Sequence, residues 1–581
     1  MNEIKLPEEE AEKSADASRE QEQIEAAAPE KPRSIARSAG IVSIAVMFSR
    51  VLGLAREMVF AKYFGAGFLY DAFLVGFRIP NILRDLFAEG ALSAAFVKVF
   101  TDYQLKKSEA EAWQLASLIF NALAIVLSVI TIVGILVAPY LVPLLARGFS
   151  PEKAALAVTL TQIMFPFILL VALAAVAMGV LNTRGRFGVP ASASTAFNIA
   201  AIIFGLGFAF YLSGGVWETS SDKDLVPSAA AQWAIIGMAI GTLIGGAFQL
   251  FIQVPSLLRV GFRFSPVVSF TDEGVRRVMR LMGPAIIGTS AVQVKVLVDT
   301  FIVSEIDGGQ SWLSYAFRLM QFPIGLFGVA IGTAAIPTLS RLASENNFTK
   351  FRSTLSDALK LVFLLTIPAA CGLVVLGEPI IRLLYERGEF NQIDTNMTAW
   401  ALAAYSIGLS GYAAIKIVSP SFYALNDAKT PMYVSVASIL VHIVVSYSML
   451  KLLSTVGVTS ERPSGFGHVG VALATSTVAL VNFFALTLLM RRRISGLNGR
   501  EIFAAFIKIV IASAAMSAVC YASYYFLTNS LGAKTLVVKL VEVFVPIALG
   551  GIAFVAMAKI LRVGEIDKLF DVLKRKLGRG K

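Results

Sequence analysis

Residues 113 to 145 read WQLASLIFNALAIVLSVITIVGILVAPYLVPLL, a run without one Asp, Glu, Lys or Arg. A helix rises about 1.5 Å per residue, and roughly 20 mostly apolar residues cross the hydrocarbon core of a bilayer. The run can therefore span a membrane with residues to spare. Working outward from it, similar segments recur from Ser34 to Leu561. They fall at about 35–63, 68–90, 113–145, 153–182, 188–212, 229–257, 275–304, 312–338, 354–385, 397–424, 431–453, 468–490, 501–527 and 536–561. Of the 581 residues, 56% are hydrophobic and 15% charged, against about 25% charged in a soluble domain. Mean hydropathy is +0.72. The expectation is an all-α polytopic membrane protein with about fourteen transmembrane helices.

The formal net charge of +12 has to be read by position, because Lys and Arg collect on the cytoplasmic side of a membrane. Even-numbered connectors are the basic ones, with Lys106 and Lys107, Arg184 and Arg186, Arg259 and Arg263, Arg341 and Lys350, Lys429, and Arg491 to Arg493. Odd connectors are poorer in such residues and often acidic, as at Glu218, Asp222 and Asp224 or at Glu305 and Asp307. Both termini are expected in the cytoplasm. Residues 1–34 hold Glu8, Glu9, Glu10, Glu12, Glu20, Glu22 and Glu25 and read as a disordered acidic tail, without the basic start and apolar run of a signal peptide. Cys371 and Cys520 lie in apolar runs and suggest no redox chemistry.

A faint internal repeat is visible. Leu181-Asn182-Thr183-Arg184-Gly185-Arg186-Phe187-Gly188-Val189-Pro190 follows the fourth segment, and Leu425-Asn426-Asp427-Ala428-Lys429-Thr430-Pro431 follows the tenth. Each is a Leu-Asn, a basic polar turn and a Pro that opens the next helix. Phe77-Arg78 with Pro80 and Phe317-Arg318 with Pro323 correspond likewise. Two parallel six-helix lobes are implied, with helices 13 and 14 appended, and transporters built from such repeats bind substrate between them near mid-bilayer.

Helices 1 and 2 carry Arg50, Arg56, Glu57, Asp71, Arg78, Arg84, Asp85 and Glu89. A charge at the centre of a spanning helix costs about 2.5 to 3.5 kcal/mol on insertion scales, so these groups pair internally or line something wet. Arg50 sits roughly 22 Å from the cytoplasmic end of its helix at about 1.5 Å per residue. Structural ion pairing accounts for Glu57, Asp71, Arg78, Asp85 and Glu89 as readily as binding does. Arg50, Arg56 and Arg84 remain in excess, and Arg318 in the eighth segment has no acid nearby in sequence. Guanidinium forks suit a diphosphate. Lys295 and Asp299, four apart on the seventh segment, read as an internal pair or as a cation or proton relay. With only His442 and His468 and no HExxH, CxxC or Walker loop, there is no basis for a catalytic residue, a metal or a cofactor.

The run Phe48-Ser49-Arg50-Val51-Leu52-Gly53-Leu54-Ala55-Arg56-Glu57 resembles the MurJ (MviN) family of lipid II flippases. So do Asp71-Ala72-Phe73, Pro80-Asn81-Ile82-Leu83-Arg84, Phe87-Ala88-Glu89-Gly90-Ala91, Ser311-Trp312 and Arg318-Leu319-Met320. The likeness runs over residues 35 to 560 and implies membership of the superfamily that includes the multidrug (MATE) exporters. It implies a basic cavity between two lobes, residues 35–258 and 259–495, a groove for a polyprenyl tail at 496–562, and a basic cytoplasmic tail at 563–581. The substrate-binding set so implied is Ser49, Arg50, Arg56, Glu57, Asp71, Arg84, Glu89, Ser311 and Arg318. Ion coupling would fall on Lys295, Asp299 and Thr475. The neighbouring positions are His442 and Ser446, and with Lys295 beside Asp299 the expectation is that sodium does not bind.

Phe317 stands where many relatives have an acid, leaving Arg318 less neutralised. The partners implied are lipid II, membrane lipids and the cell-wall synthesis machinery, with no nucleic acid, for a monomer in the bacterial inner membrane driven by membrane potential. Carriage of another polyprenyl-linked oligosaccharide, a MATE-like cation exporter and a non-transporting scaffold are the alternatives.

Overall fold

The computed structural model describes residues 32–87, 92–215, 226–459, 464–532 and 535–567. Most of the acidic tail, most of the basic tail, the Glu218 to Asp224 stretch and Glu89 lie outside the described residues. The regular elements are helices: α1 (Pro32–Phe64), α2 (Phe68–Arg84), α3 (Leu92–Lys106), α4 (Glu109–Leu145), α5 (Pro151–Met164), α6 (Phe167–Thr183), α7 (Gly188–Ser213), α8 (Ala229–Phe251), α9 (Val254–Arg259) and α10 (Glu273–Val303). They continue with α11 (Gly309–Pro323), a π-helical turn (Ile324–Gly328), α12 (Val329–Ser344), α13 (Phe348–Leu384), α14 (Gln392–Ile407), α15 (Leu409–Ala424), α16 (Lys429–Ser454), α17 (Gly467–Arg493), α18 (Gly499–Ser530) and α19 (Leu536–Ile560).

Among the described residues, 10 helices are long and apolar enough to cross a membrane, or 11 if α14 and α15, bent by 42° at their junction, form one span. The helices α1, α2 and α10 are not among these, and they carry most of the interior charges; Arg318 lies on the candidate span Gly309–Ser344 and Lys153 on Pro151–Thr183. Exposed faces such as Ile125, Val129, Ile132, Val133 and Leu136 on α4 are apolar, as a bilayer solvent requires.

One stretch differs from its sequence reading. The connector expected after residue 90 contains α3, whose Leu92, Phe96, Val99, Phe100 and Tyr103 are buried against α4, α6 and α10. That stripe has helical spacing, but the intervening Lys98, Thr101, Asp102 and Gln104 dilute it below the apolar density of a span.

The two Leu-Asn turns close their helices with the same bonds. In one, Arg186 N donates to Leu181 O and Gly185 N to Asn182 O; in the other, Asp427 N donates to Phe422 O and Asn426 N to Tyr423 O. Gly185 and Asn426 take left-handed φ values of 67° and 57°, so both are Schellman endings. The fourth and tenth segments also share a break, at Phe165-Pro166 and at Gly408. Proline lacks the N–H that would continue the ladder at the first of these.

The end of the bundle that bears the odd connectors is tightly packed. Phe60, Tyr70, Tyr315 and Tyr385 form a buried chain of rings with successive centroids 4.9, 5.0 and 4.8 Å apart. Tyr315 donates to Gly65 O at 3.1 Å, and Glu389 N donates to Lys62 O at 3.0 Å. At both ends of α13, ion pairs fasten α18 and α19: Lys360 meets Glu501 and, just beyond α19, Glu565, while Glu386, just past α13, meets Lys539.

Candidate functional site

Below that aromatic seal lies a chamber of about 850 Å³. Gly53, Phe77, Ala174, Phe197 and Thr242 wall it on one side, from α1, α2, α6, α7 and α8. Val296, Ser314 and Tyr405 wall it on the other, from α10, α11 and α14. Ser49, Arg50, Arg56, Glu57, Arg84, Lys295, Asp299 and Arg318 all face it. Eight of the residues singled out in the sequence are thus brought together from helices far apart in the chain.

Glu57 is the hub of the chamber's charges and is 3% exposed. Its Oε1 accepts from Arg318 Nη2 at 2.7 Å and from Arg56 Nη2 at 3.3 Å, and its Oε2 accepts from the Tyr70 hydroxyl at 2.5 Å. Arg84 donates through Nε and Nη2 to Asp85 Oδ1 at 3.1 and 2.7 Å. The expectation that these arginines stand without acids is therefore corrected for Arg56, Arg84 and Arg318. Short side chains one residue on, or one helix across, satisfy part of each fork. Among the described residues Arg50 makes no hydrogen bond or ion pair, and Arg78 reaches only the amide oxygen of Gln310, at 3.4 Å.

Six basic side chains, counting Arg78, face the chamber against Glu57, Asp299 and the adjoining Asp85. An excess of three positive charges remains. The Nε atoms of Arg56 and Arg78 are buried donors without an acceptor, and an unmet buried donor costs about 1–3 kcal/mol. Arg56 also lies over the Phe197 ring at 5.3 Å. A cavity of this size with surplus guanidinium and orphaned donors is built to receive an anion with several oxygens.

Arg50 is positioned by a close approach. Its guanidinium lies against Gly325 in the π-helical turn, where an added Cβ would stand 2.0 Å from Nη1. Only a glycine leaves that space.

Asp71 and Ser311 are placed elsewhere. Asp71 is fully buried and accepts four bonds, from Lys153 Nζ, Gly308 N and Ser311 N at 2.9 Å each and from Ser311 Oγ at 2.6 Å. Lys153 also binds Asp307. Gly308 sits at φ 76°, a left-handed conformation that glycine adopts without a Cβ clash and that aims its N–H at Asp71. This is a latch between α2, α5 and the start of α11, outside the chamber walls. Lys153 was missed in the sequence because it stands at the edge of its segment; its one signal is a lysine on the side where basic residues are scarce.

Thr475 lies behind the wall, where its hydroxyl takes Lys295 Nζ at 3.2 Å, and Lys295 pairs with Asp299 at 3.1 Å. Among the described residues no cluster of three or more His, Cys, Asp or Glu could hold a metal ion.

A multi-helix membrane bundle around a cavity is a fold found among multi-pass membrane transporters. The fold of an inward-facing MATE family transporter superimposes with a TM-score of 0.61 at 15% identity, covering 79% of this chain and 98% of that one. A closer likeness is to the solved structure of a lipid II flippase MurJ in an inward closed conformation, with a TM-score of 0.69 and 28% identity over 90% of this chain and 99% of that one. The lipid II flippase MurJ of Burkholderia cenocepacia is 36% identical over 459 residues, 78% of this chain and 83% of its own. The family model for lipid II flippase MurJ matches residues 60–542. The chain is a multi-pass membrane protein and belongs to the lipid II flippase MurJ family.

Proposed function

We propose that this protein carries lipid II, the undecaprenyl-pyrophosphate-linked precursor of peptidoglycan, from the cytoplasmic to the periplasmic leaflet of the bacterial inner membrane. The observation that carries the reading is the surplus of guanidinium in the chamber, above all the partnerless Arg50 beside the shared Glu57 of Arg56 and Arg318. The diphosphate supplies the negative charge that the one shared carboxylate of Glu57 leaves unmet across Arg50, Arg56 and Arg318, with Ser49 and Arg84 at its margin.

In this reading the chain has fourteen spans and both termini in the cytoplasm. Residues 35–258 and 259–495 are two lobes that rock against one another, and 496–562 form the path of the polyprenyl tail. The acidic 1–34 and the basic 563–581 stay cytoplasmic. The even-connector end then faces the cytoplasm, so the Asp71–Lys153 latch and the aromatic seal close the periplasmic side while the chamber loads. Moving unit charge through 100 mV is worth about 2.3 kcal/mol, and membrane potential supplies the work. The protein acts as a monomer.

The test is flipping of labelled lipid II by the purified chain in liposomes, and growth of a depletion strain on the same variants. Arg50→Ala and Arg318→Ala are expected to abolish both. Full activity of Arg50→Ala, Arg84→Ala and Arg318→Ala, each alone, would sink the reading.

A further inference from the structure

The chamber wall holds a second charged group, apart from the Glu57 cluster. Asp299 on α10 receives two bases: Lys295 Nζ lies 3.1 Å from its Oδ2, and His442 Nε2, from α16, lies 2.5 Å from its Oδ1. Ser446 Oγ lies 3.2 Å from the same imidazole nitrogen. His442 is fully buried, and its Nδ1 is buried without a hydrogen-bond partner. Lys295 and Asp299 face the chamber. The other titratable or charged neighbours are Arg78 and Tyr405 beside Asp299, and Tyr412 beside Lys295.

One carboxylate is thus shared by an ammonium and an imidazole. While Lys295 balances Asp299, a positive charge on the ring has no carboxylate of its own. An imidazole is the side chain whose charge changes near neutral pH, and intramembrane Asp and His are the usual parts of proton relays. What would shift the balance is a competitor for Lys295 in the chamber.

We infer that His442, with Asp299 and Lys295, is a proton-binding site inside the bilayer whose occupancy is linked to that of the chamber. An anionic head group draws the Lys295 ammonium toward itself, Asp299 is left to His442, and the imidazole, with the carboxylate on its Nε2, takes up a proton on Nδ1. The inference rests on the flippase reading and deepens it. Linkage is reciprocal. Uptake of a proton on binding means that affinity rises as pH falls, by at most about tenfold per pH unit for one proton.

The experiment is isothermal titration of lipid II into the full chain in detergent at about pH 6.5, in two buffers of different ionisation enthalpy. The expected result is uptake of up to one proton per lipid II, and loss of that uptake in His442→Gln, which keeps a hydrogen bond to Asp299 but cannot charge. Because the chain has only two histidines, ring-nitrogen NMR of labelled wild type reads the same event without a variant: the His442 signal should move to its charged position on lipid addition. Binding with no proton uptake, unchanged uptake in His442→Gln, or a His442 signal that stays put would each overturn the inference while leaving the flippase reading intact. No binding at all by wild type would instead remove the flippase reading, and the proton site with it.

Discussion

Arg318 Nη2 lies 2.7 Å from Glu57 Oε1, a bond that ties α11 to α1 across the chamber. Glu57 also holds Arg56 and Tyr70, so one acid serves two guanidinium groups at the point where an anion would sit.

Glu57→Gln keeps the size of the side chain and an acceptor for one bond but removes the negative charge that Arg56 and Arg318 share. Breaking a fully buried pair costs about 3–5 kcal/mol. The loss here should be smaller, because the Arg318 side chain is 47% exposed. The variant should melt at a lower temperature in detergent, and inorganic pyrophosphate should restore more of its stability than it adds to wild type. An equal rise in both proteins would mean that the anion does not replace the Glu57 carboxylate.

Asp427 offers a pH test outside the spans. The backbone N–H and hydroxyl of Thr430 donate to its carboxylate at 3.0 and 2.7 Å, and these bonds hold its carboxyl below the usual carboxylate range. A depressed folded value stabilises the protein above the unfolded value, and that contribution is lost as pH falls through the folded one. Asp427→Ala should therefore melt below wild type at neutral pH, with the gap closing as the medium is acidified below about pH 4. A gap that stays constant down to that range would remove the charge from the explanation.

The spans were legible because an uncharged run such as 113 to 145 has one physical solution, and the chamber arginines were legible because lipid is so poor a solvent for Arg50. Their partners were not. Glu57 and Arg318 are 261 positions apart, and nothing in either neighbourhood announces the other. Asp71 entered the substrate-binding set through the family resemblance, while its charge alone allowed ion pairing as readily as binding; only folding brings Lys153, Gly308 and Ser311 onto it. The helix α3 was hidden by its own polar face, which a criterion of apolar density cannot see past.

Lys153 should matter to the closed end rather than to the chamber. Lys153→Met leaves the buried Asp71 charge with three neutral donors and frees Asp307, a cost of about 3–5 kcal/mol to the latched state. Spin labels at Lys62→Cys and Glu389→Cys, with Cys371 and Cys520 replaced by serine, should report longer distances in this background. Adding Asp71→Asn should recover part of the loss, since the pair would then be gone rather than broken. An unchanged distance with lowered stability would reduce Lys153 to a support for α5.

Gly325→Ala separates the position of Arg50 from its charge. The new methyl would meet Nη1 at 2.0 Å, but the obstructing atom is the tip of a flexible side chain that can swing aside into the chamber. The backbone gains instead, because alanine in a helix is favoured over glycine by roughly 0.5–1 kcal/mol. The variant should therefore melt at or above the wild-type temperature while its affinity for lipid II drops toward that of Arg50→Ala. Stability and binding moving in opposite directions cannot be produced by misfolding. If Gly325→Ala binds lipid II as wild type does, the seat of Arg50 against the π-helical turn has no part in capture.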